Sequence, residues 1–132
     1  MDVLLVEDDA LIRELLGDAL SAAGFDTVGS ATAEAALELL GRDVPDVVVT
    51  DINLGAGMDG LALGRAMRER MPQLPLVYIS GRYSSLEGLD ERERFLSKPF
   101  SSRVLLKAIG DVCHEPKFHR TNNVSVTALP RE

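Results

Sequence analysis

The sequence predicts an α/β fold, a doubly wound five-stranded parallel sheet in the order 2-1-3-4-5 with helices on both faces. Two observations lead there. Short apolar runs alternate with stretches of helical periodicity along residues 2–113, the pattern of successive β-α units joined by right-handed crossovers. The first, third and fourth runs are apolar throughout, as strands buried on both faces must be, whereas the second alternates and suits an edge. In open sheets of this order, ligands gather outside the carboxyl ends of the strands, beside the point where the strand order reverses.

The elements follow in order. "DVLLVED" (2–8) is a continuous apolar run bounded by acids. Leu11, Leu15, Leu16, Ala19, Leu20 and Ala23 then recur at helical spacing, with Asp9 as N-cap and Gly24 as stop. "FDTVGS" (25–30) sets Phe25, Thr27 and Gly29 against Asp26 and Val28, a half-exposed strand. Thr32 is positioned to cap a helix through Leu40, with Ala33, Ala36, Leu37 and Leu40 inward, and Gly41 and Pro45 punctuate the return. "DVVVTD" (46–51) is the most β-branched run and reads as a central strand. A helix from Gly60 to Arg70 carries Leu61, Gly64 and Met67 on one face. "LPLVYIS" (74–80) is another buried strand. Residues 84–93 hold at most a short or irregular fourth helix, weakened by Gly88. "RFLSKPF" (94–100) is a short last strand. Ser101 or Ser102 then caps a helix with Val104, Leu105, Ala108, Ile109 and Val112.

Bulk properties narrow the function. The chain has 132 residues, 45% hydrophobic and 27% charged, enough for one core without staples. The expected division is a domain at 1–113 and a tail at 114–132, flexible or added as an edge strand to a sheet or partner. A net charge of -7 without a Lys/Arg cluster argues against direct nucleic-acid binding, which needs a basic face. Cys113 is the single cysteine, so neither an internal disulfide nor a thiolate cluster is expected. No secretory pattern or membrane-length apolar run is present, and a cytoplasmic location is the expectation.

The chemistry lies at the ends of the strands. The first run ends in Glu7-Asp8-Asp9, the third at Asp51 with Asn53 shortly after, the fourth at Ser80 and the fifth at Lys98-Pro99. Alone, Asp51 would be a turn acid and Lys98 a solvated lysine. Together on one sheet edge they form a constellation. Crowded carboxylates repel unless a cation sits among them. Hard oxygen ligands suit Mg²⁺, while His114 and His119 lie far from these strand ends in sequence. A lysine and a hydroxyl beside such carboxylates meet the needs of an aspartate that attacks phosphorus and becomes an acyl phosphate.

The stretches "VLLVEDD", "VVVTDINL…GMDGL", "LVYISG" and "FLSKPF", in this order, resemble the receiver domain of two-component response regulators over about residues 2–113. That resemblance implies a flavodoxin-like receiver fold, of the stand-alone single-domain type. It implies Asp51 as phosphoacceptor and Mg²⁺ held by Asp8, Asp51, the main-chain carbonyl of Asn53 and, partly through water, Glu7. It also implies Ser80 as the switch hydroxyl, Lys98 as the phosphate-binding lysine, Pro99 after a cis peptide and Phe95 at the aromatic switch position. Phe95 reads equally well as plain core.

Departures from the family pattern cluster after the site. Leu54-Gly55-Ala56-Gly57-Met58-Asp59-Gly60 lacks the usual proline and is one residue longer, and this glycine loop is expected to be mobile and partner-facing. The span from Ser80 to Lys98 is about one helical turn shorter than usual. The implied function is a phosphorylatable switch served by a histidine kinase or histidine phosphotransfer protein, monomeric or weakly dimeric. Too few residues follow 113 for an output domain, so output is expected through a separate protein. It is not expected to be an enzyme beyond assisting its own phosphorylation and dephosphorylation. The alternative is a receiver-fold module that binds a partner without phosphorylation. An aspartate-nucleophile hydrolase would want a second acid where Asn53 stands, and an FMN site would be repelled by Asp8 and Asp9.

Overall fold

Valine- and leucine-rich runs pair side by side at the centre of the molecule, because strands apolar on both faces are stable only when both faces are covered. The computed structural model describes residues 1–113, so the tail expected at 114–132 lies outside the described residues. The elements are β1 (Val3–Val6), α1 (Ala10–Ala22), β2 (Thr27–Ser30), α2 (Ala33–Leu40), β3 (Val47–Asp51), α3 (Gly60–Arg70), β4 (Leu76–Ser80), β5 (Glu93–Ser97) and α4 (Ser102–Val112). All strand pairs are parallel, in the order β2-β1-β3-β4-β5, as predicted. Every residue of β1, β3 and β4 is buried, while edge strand β2 is mostly half-exposed.

Alternation along the strands divides the core in two. Val3, Leu5, Val47, Val49, Val77 and Ile79 pack beneath α1 and α4 with Leu20, Leu105 and Ile109. Leu4, Val6, Val48, Leu76 and Tyr78 face α2 and α3 with Ala36, Leu40, Leu63 and Met67. The caps are local: Asp9 accepts from the Ile12 N–H, Thr32 from Ala35, Asp59 from Ala62 and Ser101 from Val104. Each satisfies an N–H that the helix itself cannot.

Helical spacing leaves the covered side of α1 open, and the fold settles it: Leu11 and Leu15 are 64% and 59% exposed. The buried stripe of α1 runs instead through Leu16 and Leu20, more than a quarter-turn round the helix. In α3, Gly64 and Met67 are buried as expected, but Leu63 takes the central place given to Leu61, which is only half-buried. Among the described residues no helix forms between β4 and β5, so the irregular form of the expected fourth helix holds. Leu86 and Leu89 nevertheless pack against the α2/α3 core, and Gly88 turns the chain at φ +79°.

At the C-terminal end of α3, Arg68 spreads across several partners. Its Nε donates to Glu93 Oε2 at 3.1 Å, and its Nη atoms donate to the carbonyls of Met71, Pro72 and Leu74. One side chain thereby ties α3 to the entries of β4 and β5. Farther up α3, a Cβ on Gly64 would fall on the Tyr78 hydroxyl, so glycine is what lets helix and strand approach.

Gly64→Ala is therefore expected to lose about 1–3 kcal/mol through overpacking, offset in part by about 1 kcal/mol of helix propensity. Adding Tyr78→Phe removes the obstructing oxygen, so urea denaturation of the double variant should recover much of the loss. Strictly additive losses would contradict the proposed contact.

Candidate functional site

Register brings the polar strand ends level with one another. Val6 pairs with Thr50, so Glu7 emerges beside Asp51, which itself pairs with Ile79; Ser80 in turn pairs with Ser97. The chain beyond each strand stays attached: Ile52 N–H donates to the Ile79 carbonyl and Lys98 N–H to that of Ser80. Buried aliphatic residues thus hold a row of polar groups on a rigid edge, the kind of support a reactive constellation needs.

At the centre, Lys98 Nζ lies 3.0 Å from Asp51 Oδ2 and 3.1 Å from Glu7 Oε1. Glu7 is 1% exposed and Asp51 5%, so the lysine compensates two nearly buried carboxylates. Asp51 Oδ1 accepts from the Asn53 N–H at 3.2 Å and Glu7 Oε2 from the Asp9 N–H at 3.1 Å. Burial pushes the Glu7 carboxyl up from its ordinary range, against hydrogen bonds from Asp9 and Lys98 that pull it down. Burial alone would lower Lys98, but hydrogen bonds to Asp51 and Glu7 raise it above the ordinary lysine value. The peptide bond between Lys98 and Pro99 is cis.

Asp8 completes an acidic triad. Carboxylate oxygens of Glu7, Asp8 and Asp51 all lie within 4.8 Å of one another, with Asp8 exposed and the other two buried. Three acids share one nearby lysine, leaving excess negative charge that a hard divalent cation would neutralise. The donor set is all oxygen and open to solvent on the Asp8 side, so these residues fit such an ion.

The other site residues fall into place around this core. The Ser80 hydroxyl, fully buried, donates to Asn53 Oδ1 at 3.1 Å and accepts from the N–H groups of Arg82 and Tyr83. Phe95 pairs with Tyr78 in register and packs, half-buried, on the α2/α3 core. Asp9 caps α1 through its own side chain.

Sequence reasoning missed three contacts here. Arg13 Nη1 donates to the Glu7 carbonyl at 2.7 Å, Asn53 engages Ser80 through its side chain, and Glu34 reaches the loop after Asp51. Only Arg13 left any signal, as a cation one turn into the helix that follows the acids.

The glycine loop, expected to be mobile and partner-facing, is held at its flanks and open in its middle. Leu54 is buried and Met58 packs on the core, while residues 55–57 between them are exposed. Gly55 and Gly57 have φ of +71° and +88°, a region costly for other residues. Gly60 is required for a different reason, since a Cβ there would collide with the Asp51 carbonyl.

A doubly wound sheet bearing an acidic triad and a lysine at its carboxyl edge defines an α/β domain whose strand-end oxygens fit a hard divalent cation. The chain belongs to the response regulator receiver domain family, which matches residues 3–110. It is 39% identical over 112 residues to the response regulator protein FleR of Pseudomonas aeruginosa, covering 81% of this chain and 23% of that protein. It is 35% identical over 113 residues to the response regulator MprA of Mycobacterium leprae, covering 83% of this chain and 49% of that one. This chain therefore spans about a quarter to a half of these curated relatives. Among solved structures, a receiver protein from Sinorhizobium medicae superposes with a TM-score of 0.78 at 33% identity, covering 86% of this chain and 94% of the other. The receiver domain of NtrX from Brucella abortus gives 0.75 at 32% identity, covering 86% and 100%. Among the described residues no helix is long and apolar enough to cross a membrane.

Because Asp8 adds a like charge beside Glu7 and Asp51, Asp8→Ala should be at least as stable as the parent in divalent-free buffer. The parent should gain about 1.4 kcal/mol from Mg²⁺ at ten times its Kd, and Asp8→Ala should lose most of that gain. Thermal unfolding with and without Mg²⁺ measures both. An equal Mg²⁺ gain in the variant would remove Asp8 from the cation site.

Proposed function

We propose that this domain is a phosphoacceptor switch of a two-component or phosphorelay system, phosphorylated on Asp51 by a histidine kinase or histidine phosphotransfer protein. The observation that carries the reading is the Lys98 ammonium, within 3.1 Å of both Asp51 and Glu7, with Asp8 closing the triad beside them. A lone turn acid has no use for that arrangement. A nucleophilic carboxylate that must accept a dianionic group does.

In the proposed reaction an Asp51 oxygen attacks the phosphorus of a phosphohistidine. A P–O bond forms, the P–N bond breaks, and the imidazole leaves with the electron pair and takes up a proton. Lys98 and the Asn53 N–H hold the carboxylate in place for attack, and Lys98 is sited to follow the incoming phosphoryl oxygens. Glu7, Asp8, Asp51 and the Asn53 carbonyl would hold Mg²⁺, which supplies charge neutralisation for the phosphoryl group. Water later cleaves the acyl phosphate, so the domain assists its own reset without being an enzyme in its own right.

The readout begins at Ser80. To reach a phosphoryl group on Asp51, its hydroxyl must leave Asn53 and disturb the Arg82 and Tyr83 N–H groups that it now receives. That displacement couples the chemistry to residues 81–92, a segment held by few apolar anchors, and so biases a two-state equilibrium that a downstream protein reads. The missing helix in 81–92 favours one competing reading, a module that binds its partner without phosphorylation.

Acetyl phosphate with Mg²⁺ separates the two. Mass spectrometry should show the gain of one phosphoryl group in the parent and none in Asp51→Asn; no gain from any donor, kinase included, would sink the switch. For donor docking, the exposed Leu11 and Leu15 lie in the first two turns of α1, just after the acids, and Val104 in the first turn of α4, shortly after Lys98. Leu11→Glu with Leu15→Glu should slow transfer from a phosphorylated donor protein about tenfold or more, consistent with loss of apolar contacts worth about 1–2 kcal/mol. Labelling by acetyl phosphate should be unchanged, and equal loss with both donors would rule out a docking role.

A further inference from the structure

We infer that Glu34 is a positioning residue for the cation site, acting through the glycine loop; this rests on the function proposed above. The loop of residues 54–59 connects β3 to α3, and its first half borders the acids. A Cβ on Gly55 would lie 3.2 Å from Asp8 Oδ2, so the loop backbone forms a wall of the triad on the Asp8 side. Asn53, whose carbonyl is assigned to the cation, immediately precedes it. Two glycines at left-handed φ would let such a loop sample many conformations unless something outside it selects one.

Glu34 makes that selection. It stands in the first turn of α2, well away in sequence, and is exposed. Its Oε2 accepts the Met58 N–H at 2.9 Å and lies against Gly57, where a Cβ would be only 2.8 Å from it. The Met58 hydrogen bond is also the leading cause that holds the Glu34 carboxyl below its ordinary range. Glycine at 57 admits the carboxylate, the carboxylate fixes Met58, and Met58 sits on the core. The far flank of the loop is thereby fixed three residues beyond Gly55, the residue that borders Asp8. A side chain that contributes little to the packed core thus sets the position of one wall of the site. Contacts that orient metal ligands directly commonly cost about 10- to 100-fold in affinity when removed, and one acting a step further out should cost less.

Calorimetric titration of Mg²⁺ into metal-free parent, Glu34→Ala and Glu34→Gln tests this without requiring phosphorylation. Glu34→Ala should bind Mg²⁺ about 3- to 10-fold more weakly. Glu34→Gln, whose amide oxygen still accepts the Met58 N–H, should stay within about twofold of the parent. With acetyl phosphate, Glu34→Ala should need correspondingly more Mg²⁺ for half-maximal labelling yet reach the parental rate at saturation. Parental affinity in Glu34→Ala would overturn the inference. So would equal weakening in both variants, which would mark a simple charge effect on the cation. A parent that binds no Mg²⁺ would instead overturn the site reading, and the positioning role would fall with it.

Discussion

Two nearly buried carboxylates sharing one lysine is the constraint around which this molecule is arranged. Glu7 and Asp51 come from neighbouring strands and Lys98 from beyond the far edge strand, yet the ammonium lies within 3.1 Å of both acids. Removing carboxylates from water is costly unless an opposite charge and hydrogen bonds compensate them. Here Lys98, the Asp9 N–H and the Asn53 N–H provide that compensation. It is incomplete, because Asp8 adds a third negative charge within reach. The site therefore keeps an excess of negative charge that one more cation would neutralise.

The sheet makes this arrangement possible and the loops make it responsive. β1, β3 and β4 are buried along their whole length, which fixes the strand ends from which Glu7, Asp51 and Ser80 project. The segments beyond them differ in kind. The glycine loop is anchored by Leu54, Met58 and Glu34. The span between β4 and β5 lacks a helix and rests on Leu86 and Leu89. Rigid placement of Asp51 beside a weakly anchored segment would suit the proposed switch, since local structure with few buried contacts is the part that a modest charge change can shift.

Much of this was legible in the sequence because the signals were local. Apolar runs ending in Glu7, Asp8, Asp51, Ser80 and Lys98 revealed strand order and site edge together, and Asp9, Thr32 and the serine pair at 101 and 102 carry ordinary capping chemistry. What was not legible depended on rotation or on distant backbone. Leu11 and Leu15 share a period with Leu16 and Leu20, and periodicity alone does not say which side of a leucine-rich helix is covered. The Glu34–Met58 contact is made to a main-chain N–H, which leaves no mark on the identity of residue 58. Ser80 was legible as a site hydroxyl, but its hold on Asn53 depends on how two loops close. The glycines suggested freedom, whereas in the fold they admit close neighbours.

The most direct test is a crystal structure of the domain with Mg²⁺ and beryllofluoride, a stable mimic of the aspartyl phosphoryl group. The account expects beryllium bonded to an Asp51 oxygen, the metal among Glu7, Asp8 and Asp51, and Lys98 hydrogen-bonded to a fluorine. It also expects Ser80 to have left Asn53 for a second fluorine, with residues 81–92 displaced. Beryllofluoride absent from Asp51, or bound there with Ser80 still on Asn53 and 81–92 unmoved, would contradict it.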